Sequence, residues 1–360
     1  MTNYTKMFNH KIGIFSPYLN TLSGGERYVA SIAECFSKKP NQVDLLWQDK
    51  EIKNKLSTKL NIDLSSVDID TKGTDTLRSK HKLIQKWALM RKYNAFFVLS
   101  DGSVPFLFSK NNFLLFQNPF PTIRPNITNK IKLSLIRKVI CNSNFTKSYI
   151  DQEFGVDSIV IYPPVDTKKF KVGHKENIIL SVGRFVWNKK QDVLITAFKQ
   201  LCDDGLKNWE LLLAGNTFDD DSEYIQNLKK QSLGYQIRIV PNPNFVSLRS
   251  LYGKSKIYWH ATGFGEDVES HPEYTEHFGI TTVEAMASGN VPVVVNLGGQ
   301  PEIVKDNISG FLWDNINDLK QKSLLLINNP NLLRTMSTKA TKECLFFSKQ
   351  VFVQSVLKLF

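Results

Sequence analysis

Short apolar runs alternate with amphipathic segments along the chain. The runs are rich in β-branched and aromatic residues, as in AFFVLS and VPVVVN, and they predict buried strands. The predicted strands begin at Lys11, Val43, Ala95, Phe113, Lys138, Ile159, Ile178, Glu210, Ile237, Lys256 and Val291. Helical patterns begin at Gly24 and near Lys190, Ser222, Ser247, Gly279 and Asn317. Apolar strands separated by helices indicate an α/β protein whose parallel sheets are covered on both faces.

The number of strands predicts two domains. About eleven strands are many for one open sheet, and 360 residues suffice for two domains of ordinary size. The periodicity breaks at YPPVDTKKF (162–170), where two prolines precede a charged run. We therefore predict an N-terminal domain over 1–165 and a C-terminal domain over 166–345. A C-terminal helix over 346–360 is predicted to pack back on the N-terminal domain.

Composition favours a globular chain in a reducing compartment. Hydrophobic residues make up 42% of the sequence, and no apolar run approaches the roughly 20 residues that span a bilayer. The four cysteines are scattered and match no metal-binding spacing. The opening MTNYTKMFNHK lacks the apolar core of a signal peptide. We therefore expect a cytoplasmic protein, with a peripheral position on the cytoplasmic membrane face as the alternative.

Charge is distributed unevenly along the chain. Residues 1–150 contain 23 Lys and Arg against 10 Asp and Glu, whereas residues 151–360 contain 23 against 24. The basic half is compatible with nucleic acid, an anionic membrane or an anionic substrate, and equally with a solvated Lys-rich surface. It contains no recognised nucleic-acid module and no stacking platform of interleaved aromatic residues, so we expect no nucleic-acid partner.

A basic helix is predicted over 78–93. Leu83, Ile84, Trp87 and Met90 cluster on one side of it, and Lys80 and Arg91 intrude on that side. Contact with an anionic membrane would explain this face, and packing of Trp87 into the core would explain it equally well.

Two loops lie where an open parallel sheet binds its ligands, beyond the carboxyl ends of strands. In FSPYLNTLSGGERYVA, Gly24 and Gly25 permit close backbone approach at a helix start, which suits a phosphate or an acceptor and also a plain turn. In SVGRFVWNKKQD, Arg184, Lys189 and Lys190 precede a helix. Cations oppose the positive end of a helix dipole, so a bound diphosphate explains them better than an ordinary helix start.

Two acids flank a third predicted helix start. Glu276 precedes the helix predicted over 279–288, and Glu284 lies within it. Carboxylates accept hydrogen bonds from sugar hydroxyls, whereas the free N–H groups of a helix start suit phosphates. The arrangement therefore suits a diphosphate that carries a sugar on each side. An ordinary charged helix start is the alternative, but it leaves the apolar surroundings of Glu284 unexplained.

These segments resemble retaining glycosyltransferases of family 4. The pattern EHFGITTVEAMASGNVPVVVNLGGQPEIV is similar to the family's E-x7-E signature, and SVGRFVWNKKQDVLITAF is similar to its GR…K segment. Further segments occur along the chain in the same order as in the family: SGGERYV, CNSNFTKSYI, IYPPVDTKKF and the C-terminal FSKQVFVQSVLKLF. The resemblance implies the GT-B fold, in which two Rossmann-like doubly wound domains face across a cleft. It also implies transfer of a hexosyl group from a nucleoside-diphosphate sugar to a glycan or lipid-linked acceptor in polysaccharide biosynthesis.

The resemblance also implies roles for individual residues. Arg184 and Lys189 would neutralise the leaving diphosphate, Glu276 would hold hydroxyls of the transferred sugar, and Glu284 would hold the ribose. The other implied donor-binding residues are Gly24, Gly25, Gly215, Asn216, Phe245, Val246, Phe278, Gly279, Ile280 and Thr281. The family is generally metal-independent, so we expect no cofactor and no metal. The EHFG wording is similar to enzymes that use GDP-mannose, with UDP-sugars as the next choice.

One position departs from the family's pattern. Many members have a histidine that contacts the sugar near the end of the fourth N-terminal strand, where this chain reads LLFQNPFPT, with Gln117 and Asn118. An amide still hydrogen-bonds a hydroxyl but does not transfer protons as imidazole does. A sugar-nucleotide-binding protein without transfer activity is therefore the alternative. The acidic stretch 266–276 could be interpreted as a metal site, but a solvated loop is the simpler interpretation.

Overall fold

Two parallel sheets organise the chain, one in each of two units. The computed structural model describes residues 10–22, 24–38, 40–79, 81–120, 126–217 and 223–360. Unit 1 comprises the described residues of Met1–Pro164 together with Phe352–Phe360, and unit 2 comprises those of Val165–Val351. Two α/β units with parallel sheets agree with the predicted fold class.

Unit 1 contains a seven-stranded parallel sheet in the order β3-β2-β1-β4-β5-β6-β7. Its strands are β1 (Lys11–Phe15), β2 (Gln42–Leu46), β3 (Val67–Asp70), β4 (Ala95–Leu99), β5 (Asn111–Phe116), β6 (Lys138–Cys141) and β7 (Ile159–Val160). Its helices are α1 (Gly24–Phe36), α2 (Ile52–Leu60), α3 (Thr71–Arg78), α4 (Leu83–Met90), α5 (Ile127–Ser134) and α6 (Asn144–Phe154).

Alternate residues of the central strands of unit 1 enter two cores, one on each face of the sheet. Phe97 of β4 lies in one core, and Phe96 and Val98 lie in the other. This explains why AFFVL is apolar throughout, because both of its faces are buried. Phe352 and Phe360 also lie in or against the Phe97 core, so the C-terminal end of the chain completes this unit.

Unit 2 contains a six-stranded parallel sheet in the order β10-β9-β8-β11-β12-β13. Its strands are β8 (Glu176–Val182), β9 (Glu210–Gly215), β10 (Ile237–Pro241), β11 (Ser255–His260), β12 (Val291–Val295) and β13 (Phe311–Trp313). Its helices are α7 (Gln191–Asp203), α8 (Glu223–Gln231), α9 (Phe245–Lys254), α10 (Ile280–Ala287), α11 (Gln300–Ile303), α12 (Ile316–Asn328) and α13 (Pro330–Glu343), and α14 (Lys349–Leu357) runs from unit 2 into unit 1.

Polar residues fix several helix starts locally. The side chains of Ser143, Asn244 and Asn315 accept hydrogen bonds from backbone N–H groups in the first turns of α6, α9 and α12. Each bond satisfies one of the donors that a helix start leaves unpaired. Lys175 acts at helix ends instead, since its ammonium lies 2.6 Å from the carbonyl oxygen of Ser255 and 2.7 Å from that of Ser288. It joins the carboxyl ends of α9 and α10, and burial lowers its pKa to about 7.

Two edge strands differ from the sequence prediction. β3 and β13 were not predicted, because the first alternates apolar residues with aspartates in only four positions and the second has three residues. Both lie at the edge of their sheet, where a short strand needs fewer apolar residues. All eleven predicted strands are present, each beginning within a few residues of its predicted start.

The basic helix predicted over 78–93 is present only in part, as α4 over Leu83–Met90, and its predicted start at Arg78 is wrong. The chain forms two helices there, because α3 ends at Arg78, Ser79 is extended, and α4 begins at Leu83. The Lys80 position of that prediction lies outside the described residues. Packing of Trp87 into the core is also wrong, since the side chain is 52% exposed, whereas Met90 is buried. No helix among the described residues is long and apolar enough to cross a membrane.

Candidate functional site

The candidate site in unit 2 lies where the strand order of the sheet reverses. β8 and β11 are neighbours, but the strands that follow them in sequence lie on opposite sides of the pair. The connections after β8 and β11 therefore diverge and leave a crevice at the carboxyl edge, the usual ligand position in open α/β sheets. Arg184 and Lys189 follow β8, while His260 ends β11 and Glu276 follows it.

Lys189 and Glu276 form an ion pair at this edge. Lys189 closes a 3-10 turn, and its ammonium lies 2.7 Å from Glu276 Oε2, with the side chains 18% and 20% exposed. Burial alone would raise the pKa of Glu276, but the Lys189 charge and a hydrogen bond from His260 lower it well below its usual range. Glu276 is therefore an anion at neutral pH that is already neutralised by one cation.

The neighbouring lysine has a different partner. Lys190 adopts a left-handed conformation with φ of 54° and pairs with Glu266. Sequence spacing alone left these two lysines close to equivalent. The structure distinguishes them, because Lys189 contacts the acid that precedes α10 and Lys190 contacts the loop before it.

Arg184 supplies a second cation at the end of β8. It is exposed, and among the described residues no carboxylate lies within ion-pair distance of its guanidinium. Its backbone is fixed, since the carbonyl oxygen accepts a hydrogen bond of 2.9 Å from the Gln191 amide. The structure thus places two paired lysines, Lys189 and Lys190, and one exposed cation, Arg184, on the same loop.

His260 is a site residue that the sequence reasoning missed. Its Nε2 lies 3.2 Å from Glu276 Oε2 and 3.0 Å from Thr262 Oγ1. Burial lowers its pKa, which favours the neutral ring. A carboxylate only accepts hydrogen bonds, so the bond to Glu276 places the ring proton on Nε2. The buried Nδ1 then has no hydrogen-bond partner in the part of the chain that the structure describes.

Close backbone packing fixes the segment between Glu276 and α10. Gly279 caps α10 with φ of 119°, and a Cβ there would lie 2.6 Å from the Gln300 amide nitrogen. At Gly298 a Cβ would lie 2.2 Å from the Glu276 carbonyl oxygen. The N–H of Gly299 donates to that same oxygen at 2.7 Å. Glu276 therefore sits on a backbone that cannot shift without breaking these contacts.

The start of α10 offers donors beside Glu276. The first N–H groups of a helix lack partners within the helix and lie at the positive end of its dipole. Phe278 and Gly279 are buried there, while Ile280 and Thr281 are half-buried. The Tyr258 hydroxyl donates to Thr281 Oγ1 at 2.8 Å, which fixes the Thr281 side chain.

Glu284 has a different environment from Glu276. It lies inside α10, is 5% exposed, and accepts a hydrogen bond of 3.1 Å from the Tyr252 hydroxyl. The structure therefore places one acid of the E-x7-E pattern in an ion pair at the edge of the site and the other in a buried polar contact.

The remaining predicted residues of unit 2 line the same edge. A Cβ on Gly215 would lie 1.8 Å from the Gly183 carbonyl oxygen, so this glycine is required by the close approach of β8 and β9. Asn216 follows it and is exposed. Phe245 and Val246 begin α9 and are 40% and 73% exposed. These two apolar side chains are exposed to solvent beyond the carboxyl end of β10.

The predicted residues of unit 1 lie at the carboxyl edge of its own sheet. Gly24 and Gly25 begin α1, which follows β1, while Gln117 and Asn118 follow β5. Asn118 is exposed, whereas Gln117 is half-buried. The side-chain nitrogen of Gln117 is buried and has no hydrogen-bond partner among the described residues. This favours Gln117 over Asn118 as a donor to a ligand hydroxyl.

Gly25 allows a clean test of backbone approach by a ligand. A Cβ there would meet only Leu99 Cδ2 at 3.8 Å, which is ordinary contact. We expect Gly25→Ala to keep or slightly raise the unfolding temperature, because alanine favours helix over glycine by up to about 1 kcal/mol. If a substrate approaches the backbone at Gly25, kcat/KM falls about tenfold or more. Unchanged kinetics in the folded variant would remove Gly25 from the site.

The acidic loop is occupied by internal contacts. Glu266 pairs with Lys190, and His271 Nδ1 lies 3.1 Å from Glu273 Oε1. Among the described residues, no group of three or more His, Cys, Asp or Glu side chains is placed to hold a metal ion. The 266–276 stretch therefore offers no arrangement on which to derive metal chemistry.

Solved structures identify the fold class. A glycosyltransferase from Rickettsia africae superposes with a TM-score of 0.76 at 18% identity, covering 97% of both chains. HepE from Anabaena, solved in complex with UDP and glucose, superposes with a TM-score of 0.73 at 17% identity, covering 97% of this chain and 98% of that one. The fold is the GT-B fold, as predicted.

Sequence comparison identifies the family. The model of the family "Glycosyl transferases group 1" matches residues 164–343, which is half of the chain, and the protein belongs to this family. An uncharacterized glycosyltransferase of Methanocaldococcus jannaschii is 29% identical over 225 residues, covering 62% of this chain and 59% of the relative. A GDP-Man:Man(3)GlcNAc(2)-PP-Dol alpha-1,2-mannosyltransferase of Dictyostelium discoideum is 28% identical over 282 residues, covering 69% and 53%. The match thus spans a little over half the length of these relatives.

Proposed function

We propose that the protein is a retaining glycosyltransferase that moves a hexosyl group from a nucleoside-diphosphate sugar to a glycan or a lipid-linked glycan. The observation that carries the proposal is the group formed by Lys189, Glu276 and His260 at the reversal point of the sheet, beside the start of α10. It combines a cation, a sugar-hydroxyl acceptor and free N–H groups, which are the chemical parts that a sugar diphosphate needs.

The proposed reaction breaks the bond between the anomeric carbon and the diphosphate oxygen. A bond from the acceptor oxygen forms on the same face of the sugar, and the acceptor proton passes to the departing diphosphate. Negative charge grows on the diphosphate as it leaves. Arg184, Lys189 and the start of α10 would stabilise that charge. In other enzymes a metal ion has this role. Glu276 would hold hydroxyls of the moving sugar.

The proposed donor is GDP-mannose or a similar sugar nucleotide, with a UDP-sugar as the next choice. Relatives named GDP-Man mannosyltransferases support the first choice, and the UDP and glucose complex of HepE supports the second. Phe245 and Val246 would border the base together with Gly215 and Asn216, and Glu284 would bind the ribose.

The proposed place of reaction is the cytoplasm or its membrane face. Cys35, Cys141, Cys202 and Cys344 are not joined in disulfide bonds. Disulfide bonds form in oxidising compartments and are rare in the cytoplasm, so four cysteines without them support this place.

A second candidate is a protein that binds sugar nucleotides without transferring the sugar. The resemblance to the family implies a histidine near this strand end, where the chain has Gln117 and Asn118, and this difference motivates it. The two candidates differ in one measurement. The full chain is incubated with GDP-mannose, UDP-glucose or UDP-N-acetylglucosamine, and the release of nucleoside diphosphate is followed with and without glycan acceptors. We expect release from one donor, increased by an acceptor. Tight binding with no release from any donor would favour the binding protein.

Removal of metal ions should leave the activity intact. The positive charge in the proposed mechanism comes from Arg184, Lys189 and a helix start, so we expect turnover in EDTA to stay within about twofold of the untreated rate. The measurement is nucleoside diphosphate release in EDTA, with Mg²⁺ or Mn²⁺ added back afterwards. Loss of activity in EDTA and recovery with either ion would overturn the proposed source of charge.

A further inference from the structure

Two short helices of unit 1 expose a set of large apolar side chains. On α4, Leu83, Ile84 and Trp87 are 50%, 79% and 52% exposed. On α5, Ile127, Ile131 and Leu135 are 79%, 55% and 41% exposed. Ile127, Ile131 and Leu135 recur every fourth residue and therefore lie on one face of the helix, with Leu135 directly after its last residue. Exposed apolar side chains that cluster in this way mark an interaction surface, whereas scattered ones do not.

The two helices flank one segment and so belong to one surface. The backbone N–H of Phe108 lies 3.4 Å from the sulfur of Met90 at the end of α4. The ring of Phe106 stacks on that of Phe108, and the Lys132 ammonium of α5 lies 5.2 Å from the Phe106 ring. The pKa of Lys86 on α4 is lowered mainly by burial and secondly by the charge of Lys132, so these two lysines lie close together.

The charge of this surface is of one sign. Residues 81–93 contain four Lys and Arg and no Asp or Glu, and residues 126–138 contain the same numbers. Lysines placed beside exposed apolar side chains can extend their ammonium groups to lipid phosphates while their stems lie along the apolar layer. Trp87 suits the same boundary, because its ring is apolar and its N–H is polar.

We propose that the exposed faces of α4 and α5 form a docking surface for an anionic phospholipid membrane. Leu83, Ile84, Trp87, Ile127, Ile131 and Leu135 enter the boundary between head groups and acyl chains, and the surrounding lysines and arginines contact the head groups. Each helix has eight residues, so they lie in the surface and do not span it. The charge favours this occupant, since the two segments have no acid to pair with a basic protein. Exposed aliphatic side chains also do not provide the aromatic stacking that single-stranded nucleic acid uses.

Docking would give the enzyme access to acceptors held in the membrane. On the proposed function, unit 1 would meet a lipid-linked glycan at the surface that carries it. The docking itself does not depend on that function, because binding to vesicles is measured without any donor or acceptor.

Vesicle flotation of the full chain tests the proposal. We expect binding to vesicles of phosphatidylcholine mixed with phosphatidylglycerol and little binding to phosphatidylcholine alone. We expect Ile84→Ser/Trp87→Ser to weaken binding about tenfold or more by removing apolar contact. Lys86→Gln/Lys132→Gln should weaken it by a similar factor and reduce its salt dependence. Leu233→Ser is the matched control, since this leucine of unit 2 is 74% exposed, and its binding should equal that of the unmodified chain.

Several outcomes would overturn the surface. One is absence of binding to the anionic vesicles, and another is equal binding by the two double variants and the control. Stronger binding to single-stranded DNA than to vesicles, lost in the same variants, would also overturn it in favour of a nucleic-acid surface. Nucleoside diphosphate release from soluble donor is measured on every variant. A double variant that still releases nucleoside diphosphate but no longer floats with vesicles supports docking. If the unmodified chain releases no nucleoside diphosphate, that result contradicts only the proposed function.

Discussion

Replacing Lys189 with methionine is expected to lower kcat/KM for glycosyl transfer by about 10²–10³-fold. Removing one group that stabilises charge at the reacting centre typically has this effect. Lys189 is the cation nearest to Glu276, the proposed partner of the moving sugar, at 2.7 Å. Methionine keeps a long unbranched side chain in the same space, so the loss would report the charge and not the volume. Transfer of the identified donor sugar is measured over a range of donor concentrations.

Lys190→Met is the matched control. Lys190 is adjacent in sequence and 18% exposed, as Lys189 is, but it pairs with Glu266. We expect it to reduce kcat/KM by less than about tenfold, because its charge is directed to the loop and not to Glu276. If Lys190→Met abolishes transfer and Lys189→Met does not, the cation has been assigned to the wrong lysine.

A double variant separates a structural role of the ion pair from a catalytic one. Lys189→Met leaves the partly buried Glu276 charge without its ammonium, which costs stability. Lys189→Met combined with Glu276→Gln removes both charges and should recover much of the lost unfolding temperature. We expect the activity of the double variant to remain low. Recovery of activity together with stability would mean that the pair only supports the fold.

The positions of most strands could be predicted from the sequence because both faces of each central strand are buried. Buried strands such as AFFVL in β4 are apolar at every position, a pattern that surface segments do not show. The short edge strands β3 and β13 lack this signal. The break between α3 and α4 was missed because residues 79–82 contain no glycine or proline to mark it. The apolar face lies wholly on α4, where Trp87 is exposed and Met90 is buried.

Part of the candidate site could also be predicted. Glycines in the sequence mark the places where its backbone packs closely, and charged residues lie near them in the sequence. Arg184 and Lys189 were predicted from their place between a strand and a helix, and Glu276 from its place before a helix start. Their partners could not be, because Lys189 and Glu276 are far apart in sequence and meet only through the order of strands around β8 and β11. His260 ends a strand in KIYWHA, and that position at a carboxyl edge was the one available signal for it.

Glu276→Gln is expected to lower kcat by about 10²-fold or more and to leave the affinity for free nucleoside diphosphate unchanged or higher. A group that contacts only the moving sugar affects the transition state and not the binding of the leaving nucleotide. The structure adds a reason for higher affinity. Glu276 neutralises Lys189 in the free protein, so its loss leaves the ammonium free to attract the diphosphate. Calorimetry with the nucleoside diphosphate and turnover with the intact donor measure the two effects.

Glu284→Gln is expected to show the opposite balance. Glu284 is buried and accepts from Tyr252, and a ribose contact would act equally in the ground state and the transition state, so it supports binding without raising kcat. The amide keeps the shape and one acceptor for Tyr252, so the variant should fold. Tyr252→Phe is the control for that hydrogen bond. If Glu284→Gln lowers kcat at unchanged affinity while Glu276→Gln abolishes nucleotide binding, the two roles are reversed. If neither variant changes either quantity, the pair is structural, because an acid that touches neither the sugar nor the ribose can be replaced by its amide without kinetic effect.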